Sequence, residues 1–155
     1  MKLSTKGRYG VRAMFDLALH QDDEPIPLRS IAERQNISEH YLEQLISTLR
    51  NKGFVESVRG AHGGYMLVGE AEEITLGHII RALEGPITLS DCVSEEEEGC
   101  ERSSSCVVEI VWKRVKDRID EVLDSITLED IKRTAFNLEE DKKDDYILDL
   151  MDDSL

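Results

Sequence analysis

The strongest constraint on the fold lies in residues 28–68, where two helical patterns separated by a tight turn precede two strand patterns. The apolar spacing of Leu28–Gln35 predicts a short helix, and Asn36 begins the turn. Ser38 is suited to cap a longer helix that ends near Gly53, because serine accepts a backbone N–H at a helix start and glycine often follows a helix end. This arrangement predicts a helix-turn-helix.

A glycine-rich hairpin is predicted directly after the second of these helices. Phe54–Val58 and Tyr65–Val68 have the composition of short antiparallel strands, and Arg59–Gly64 is the loop between them. The glycines of the loop give its backbone the freedom needed for a tight tip or for a close approach to another backbone. A helix-turn-helix followed by such a hairpin predicts a winged helix, so the expected fold class is mainly α with a small β-hairpin.

Two further helices are predicted on either side of this unit. Ser4 or Thr5 can cap a first helix that ends near His20, and Thr75 begins another helix that ends at Gly85. Apolar residues at spacings near the helical period give the first helix a face suited to burial. That face consists of Val11, Met14, Phe15, Leu17 and Ala18.

A long helix is predicted from about Cys106 to Ser125. Apolar residues recur along it every three or four positions and form a seam suited to a partner helix. A single projecting helix of this kind most often pairs with its copy across a two-fold axis, so we expect a homodimer. The seam consists of Val108, Val111, Val115, Ile119, Val122 and Ile126.

The expected organisation has four parts. Residues 1–86 form the winged helix-turn-helix domain, 87–105 a loop that contains cysteines, and 106–133 the dimerisation helix and its end. Residues 134–155 are dense in Asp and Lys and are expected to be an acidic, mobile tail, although their apolar residues could form a final helical turn or two.

For binding to nucleic acid, the distribution of charge along the chain matters more than the net charge. The chain of 155 residues has a net charge of −14, but residues 1–66 hold 9 Lys and Arg against 8 Asp and Glu, while 67–155 hold 10 against 25. The first part can therefore present a basic face to phosphates. Neither a membrane-spanning apolar run nor a secretory signal pattern is present, so we expect a cytoplasmic protein without membrane contact. No pattern of conventional catalytic residues stands out, and an enzyme is not expected.

Candidate DNA-reading residues lie at the start of the third helix, on the wing and on nearby basic positions. The first turns of a recognition helix reach base edges, and an Arg on a wing is suited to a narrow minor groove. Tyr41 also lies on the apolar face, which favours a core role. The helix and wing candidates are Ser38, Glu39, His40, Tyr41, Glu43, Gln44, Arg59, Gly60 and His62, and the candidate phosphate contacts are Lys6, Arg8, Arg50 and Lys52.

The three cysteines of the chain, Cys92, Cys100 and Cys106, fall in one irregular segment that leads into the long helix. An odd number of cysteines in a cytosolic chain favours metal binding or a reactive thiol over a disulfide framework. Convergent thiolates select an iron–sulfur cluster, zinc or Cu(I), and the spacing lacks the C-x2-C pair that is typical of zinc ribbons. Glu109 lies one helical turn after Cys106 and is a candidate fourth ligand. The alternative is three unconnected cysteines in a loop.

Long stretches of the chain resemble the IscR-like winged-helix regulators. LSTKGRYGVRAM, ISEHYLEQLISTLRNKGFVESVRGAHGGYML and ITLGHIIRALEGPI carry the similarity, which covers roughly residues 1–131. The resemblance implies a homodimeric repressor on a partly palindromic DNA operator. It also implies a cluster, most often 2Fe–2S, held by Cys92, Cys100 and Cys106, with cluster-assembly proteins as potential partners and control of iron–sulfur assembly or sulfur-metabolism genes.

One departure from the family pattern leaves the fourth ligand open. Glu109 occupies the position where family members usually have histidine. The fourth ligand is therefore Glu109 itself, a carboxylate from elsewhere, a small thiol or another histidine, among which His78 is the best placed. The nitric-oxide-sensing NsrR branch can borrow a carboxylate near residue 8, where this chain has Arg8. The CymR branch of cysteine metabolism shares SEHYLEQL and GPI. The alternatives are therefore nitric-oxide or thiol-redox sensing and, from another class, a small iron–sulfur electron carrier.

Overall fold

The computed structural model describes residues 3–22, 24–90 and 106–152, with side chains described up to residue 142. The predicted fold class is confirmed, because helices dominate these ranges and two antiparallel strands form one hairpin. No helix among the described residues is long and apolar enough to cross a membrane. The elements are α1 (Thr5–His20), α2 (Leu28–Gln35), α3 (Glu39–Asn51), β1 (Val55–Val58), β2 (Gly64–Leu67), α4 (Leu76–Glu84), α5 (Val107–Ser125) and α6 (Leu128–Asp152).

Local capping signals define the starts of three helices. The side chains of Ser4, Ser38 and Thr75 each accept a hydrogen bond from a backbone N–H three residues on, at the starts of α1, α3 and α4. Asn36, in the left-handed region at φ +51°, ends α2 and begins the turn to α3. These caps place the helix boundaries within a residue or so of those that the sequence predicts.

The core lies between α1, α2, α3 and α4 and is closed by the hairpin and the start of α6. The buried face of α1 differs from the expectation: Val11 and Phe15 are only half-buried, while Ala13 is fully buried beside Met14. The reason is that α1 packs against several elements, so its buried face is wider than one stripe. Buried apolar side chains elsewhere include Ile31, Leu42, Leu45, Ile46, Leu49, Val55, Leu67, Ile79, Leu83 and Leu128.

Helices α1 and α4 approach each other closely, and two glycines of α1 permit this. A Cβ at Gly10 would lie 1.9 Å from Cδ1 of Leu83. The carboxylate of Glu84 caps the start of α1, where its Oε1 accepts hydrogen bonds from the Gly7 N–H (3.0 Å) and from both the N–H (3.1 Å) and the hydroxyl of Ser4. The last residue of α4 is thereby tied to the first turn of α1.

The hairpin is anchored to the segment before α2. In its register Val55 faces Leu67 and Val58 faces Gly64. The backbone of Tyr65 exchanges hydrogen bonds of 2.8 and 2.9 Å with that of Ile26, and a Cβ at Gly64 would lie 2.3 Å from the Ile26 carbonyl oxygen. The close backbone approach that the glycines predict therefore occurs, at the base of the wing.

The long helix ends where the sequence predicts. It runs to Ser125, and a further helix that the sequence analysis did not predict, α6, starts at Leu128. Thr127 and Asp130 cause the break, because the Asp130 carboxylate accepts from the Thr127 N–H (3.0 Å) while the Thr127 hydroxyl accepts from the Asp130 N–H (3.1 Å). The acidic segment that the sequence analysis expected as a tail from residue 134, with a final helical turn or two, has a helical backbone as far as Asp152.

An ion-pair cluster fastens α5 to α4. Arg81 of α4 reaches Asp120 at 2.9 Å and Asp124 at 2.6 Å, and Lys116 pairs with Asp120 at 3.0 Å. The hydrogen bonds to Asp124 and Asp120 raise the pKa of Arg81 well above its usual value. Backbone bonds from Leu76 N–H to the Ile126 carbonyl and from Leu128 N–H to the Ile74 carbonyl close the same junction.

Replacing Gly64 by Ala should destabilise the wing, because the added Cβ would collide with backbone atoms of Ile26 that cannot rotate away. We expect a loss of about 2 kcal/mol in the free energy of unfolding, measured by urea denaturation. Ala61→Ser at the exposed loop is the matched control and should change stability by less than about 0.5 kcal/mol. Equal stability of the two variants would contradict the close approach.

The attachment of α5 should weaken in acid. Burial alone would raise the pKa of Asp120, but hydrogen bonds from Arg81 and Lys116 outweigh it and lower the pKa below its usual 3.8. A carboxylate with a lowered folded-state pKa contributes stability that is complete above the unfolded pKa and is lost as the pH falls through the folded one.

Urea unfolding measured at a series of acidic pH values tests how much the ion-pair cluster around Arg81 contributes to stability. We expect the stability of the wild type to fall more steeply than that of Asp120→Asn between about pH 5 and about pH 3. Asp117 lies on the same helix, is exposed and has no ion-pair partner among the described residues. The variant Asp117→Asn should therefore keep the wild-type slope of stability against pH. Identical slopes for Asp120→Asn and the wild type would show that Asp120 contributes nothing.

Candidate nucleic-acid interface and sensor segment

The first two turns of α3 present polar side chains to solvent. Glu39, His40, Glu43 and Gln44 are all exposed, while the next apolar positions of the same helix are buried. The Gln44 side-chain amide lies 3.3 Å from Nε2 of His40, so these two side chains are arranged as a pair. A helix with a buried rear face and a free polar N-terminal end has the form required for entry into a major groove.

Tyr41 has the packing role that its position on the apolar face predicts. It is half-buried, and its ring makes an edge contact with Tyr9 of α1 at a centroid distance of 6.0 Å. Ser38 at the cap accepts from the Tyr41 N–H at 3.3 Å. The start of α3 is thereby held against α1, which limits the freedom of the reading residues.

The wing presents Arg59, Gly60 and His62 as exposed residues. Gly60 has φ +119°, a conformation that side chains rarely adopt, and its carbonyl accepts from the Gly63 N–H at 3.0 Å. The tip is therefore a tight turn that carries Arg59 at its start. The basic candidates Lys6, Arg8, Arg50 and Lys52 are exposed, and none of them forms an ion pair within the described ranges.

A buried polar cluster that the sequence analysis missed lies behind the helix-turn-helix. Asp16 is fully buried in α1, and its carboxylate accepts from Arg34 at 2.7 and 3.0 Å and from Gln35 at 2.9 Å. The hydrogen bond to Asp16 raises the pKa of Arg34. The only signal in the sequence was an acid in the middle of an apolar stretch, since the partners lie 18 and 19 residues away.

Of the segment that contains the cysteines, the structure describes only the C-terminal end. Cys106 is half-buried at the N-cap position of α5, and Oε2 of Glu109 is buried and has no hydrogen-bond partner among the described residues. Cys92 and Cys100 lie outside the described residues, and no group of His, Cys, Asp and Glu able to hold a metal occurs among the described ones. His78 is engaged elsewhere, because its Nδ1 accepts from the Thr75 N–H at 3.2 Å and its ring stacks on Phe54.

The predicted seam of α5 is largely uncovered. Val115 is 39% exposed, Val122 58%, and a groove of about 480 Å³ runs between them. None of the described residues of α5 is buried, which is unusual for a helix so rich in apolar side chains. The groove is lined by Arg114, Val115, Arg118, Ile119, Val122 and Leu123.

Comparisons with known proteins agree with this arrangement. The family model Rrf2, an iron-dependent transcriptional regulator, matches residues 3–134. The transcriptional regulator CymR of Bacillus subtilis is 53% identical over 131 residues, which are 84% of this chain and 89% of that protein.

Two solved structures are similar across most of the chain. The structure of CymR, the global cysteine regulator of B. subtilis, has a TM-score of 0.71 at 51% identity and covers 86% of this chain and 98% of its own. The structure of T. potens IscR has a TM-score of 0.71 at 51% identity, and the match covers 87% of this chain and 88% of that one. The similar proteins are transcriptional regulators and not enzymes. This confirms the expectation of a transcriptional regulator and the expectation that the chain is not an enzyme.

Proposed function

Because the chain belongs to the Rrf2 family of DNA-binding transcriptional regulators, we propose that it is a homodimeric repressor that senses iron–sulfur cluster status. Regulation of transcription follows from the family and from the helix-turn-helix. The sensed signal, the operator contacts and the dimer are the parts that are proposed. The reading residues would be the exposed N-terminal turns of α3 and the Arg59 wing, which are free for DNA.

The observation that carries the sensing proposal is Oε2 of Glu109, which has no hydrogen-bond partner in the part of the chain that the structure describes. A buried carboxylate oxygen without a hydrogen bond is costly, and ligation of a metal centre would satisfy it. It lies one helical turn from Cys106, whose thiol is at the start of α5. The chemistry of the donors fits an iron–sulfur cluster, which Cys92, Cys100 and Cys106 would hold with Glu109 as fourth ligand. When bound, such a cluster supplies a redox couple whose potential depends on its ligands.

The proposed dimer rests on the exposed seam of α5. An apolar helix face of this length rarely remains in water, and a second copy offers the same face in reverse. The ion-pair cluster around Arg81 would then transmit the orientation of α5 to α4 and the winged helix.

Thiol-redox sensing is the second candidate. Its support is the 53% identity to CymR, whose structure is described as that of a global cysteine regulator. In that case Cys106, a half-buried free thiol, would report oxidation without metal. The electron-carrier alternative receives no support from a family of transcriptional regulators.

Purification without oxygen, followed by visible absorption and by counts of iron and acid-labile sulfide per chain, tests the cluster. We expect absorption bands at about 400–460 nm with stoichiometric iron and sulfide, and the loss of these bands in Cys106→Ala. Glu109→Ala should shift the bands and speed loss of iron to a chelator, while Asp117→Ala on the exposed surface of α5 should not. Colourless, iron-free protein that still binds DNA would instead support thiol sensing.

Val115→Glu should convert the dimer to a monomer, because the new charge would be buried in the apolar seam. Light scattering after gel filtration measures the mass directly. Val68→Glu is the matched control, since Val68 is similarly exposed (43% against 39%) but lies after β2. A dimer that survives Val115→Glu would place the interface elsewhere.

A further inference from the structure

Arg12 is held at the helix-turn-helix in an unusual way. It extends from the exposed side of α1 to the end of α2, where its Nε donates to the Gln35 side-chain oxygen at 3.3 Å and its Nη2 donates to the Gln35 carbonyl. Its guanidinium carbon also lies 5.4 Å from the ring centre of Tyr9. An exposed Arg is ordinarily free to move, whereas three contacts hold this one.

The acceptors that hold Arg12 are neutral. No carboxylate pairs with it among the described residues, although the chain is strongly acidic. Other arginines that the structure places in hydrogen bonds do pair with carboxylates, namely Arg29, Arg34, Arg81 and Arg118. Arg12 therefore keeps a charge that no carboxylate compensates within the described ranges, and three of its five N–H donors have no acceptor there.

Gln35, which holds Arg12, is itself fixed by the buried polar cluster of Asp16, Arg34 and Gln35. Gln35 donates through Nε2 to Asp16 at 2.9 Å, so its own oxygen is turned towards Arg12. On the other side Tyr9, under the guanidinium, contacts Tyr41 in the first turn of α3. The guanidinium of Arg12 is thus held at the end of α2, beside the turn that leads into the recognition helix, and a DNA strand bound by that helix would pass near it.

We propose that Arg12 binds a phosphate of the DNA backbone and that Gln35 positions it. A guanidinium with free donors and no carboxylate is matched to a phosphate oxygen, and its prior ordering reduces the entropy lost on binding. The proposal rests on DNA binding by the proposed dimer, and it adds a contact that is separate from Lys6 and Arg8.

The salt dependence of DNA binding tests the proposal. The probe is a 30-base-pair duplex (about three helical turns) that the wild-type protein selects from a random library, with binding followed by fluorescence anisotropy. Each phosphate contact contributes about 0.9 to the slope of log K against log salt, so Arg12→Gln should reduce the slope of a dimer by about 1.8. Arg12→Lys keeps the charge and should retain most of the slope while it weakens binding.

Two further variants make the result specific. Arg133→Gln removes the same charge from the exposed surface of α6 and should leave the slope unchanged. Gln35→Leu also removes a donor from the buried Asp16, so its effect through Arg12 is the difference between its cost with Arg12 present and its cost in Arg12→Gln. We expect the cost to be larger with Arg12 present, and equal costs would show that Gln35 does not position Arg12. Thermal unfolding establishes that each variant is folded.

The outcomes separate this proposal from the proposed function. If the wild type selects no duplex, DNA binding itself fails. If the wild type binds with a steep slope and Arg12→Gln has the same slope, Arg12 is only a structural contact between α1 and α2 and the proposal is wrong.

Discussion

The carboxylate of Asp16 is the interaction on which the orientation of the helix-turn-helix depends. It is the one charged side chain that is fully buried among the described residues, and it is satisfied by donors from Arg34 and Gln35 at the end of α2. A buried charge that loses its partner costs about 3–5 kcal/mol, so the end of α2 cannot move away from α1. Only a short turn separates the end of α2 from the recognition helix α3. The contacts of Asp16 with α2 therefore also fix the orientation of α3 relative to α1.

The secondary structure was largely predictable because its signals are local. Ser38 and Thr75 cap helices within three residues, and Asn36 with Gly53 ends them, so the sequence alone places α2, α3 and α4. The exposed polar start of α3 and the exposed wing were predicted for the same reason, as both follow from helical period and turn chemistry. The start of α6 also has a local signal, Thr127 followed by Asp130, but these polar residues do not appear in the apolar periodicity from which the helices were predicted.

The contacts that position the site were not predictable, because they join distant parts of the chain. Glu84 caps a helix 80 residues earlier, and Gln35 holds an arginine 23 residues before it. In the sequence Glu84 is one acid among many. Only the packing of α4 on α1 distinguishes it from a solvated side chain. The domain boundaries around the cysteine segment stay predictions, since Cys92 and Cys100 lie outside the described ranges.

The junction at Thr127 gives α5 the mechanics of a lever. Its C-terminal end is fixed by Arg81 and by the backbone bonds at Ile126, whereas the Cys106 end has no such attachment to α4 within the described part of the chain. The arm from Val107 to Ile119 is about 20 Å long at 1.5 Å per residue. A displacement of about 2 Å at its tip would rotate the helix by about 6°, so a small change at Cys106 would reach the core of the winged helix as a change of angle.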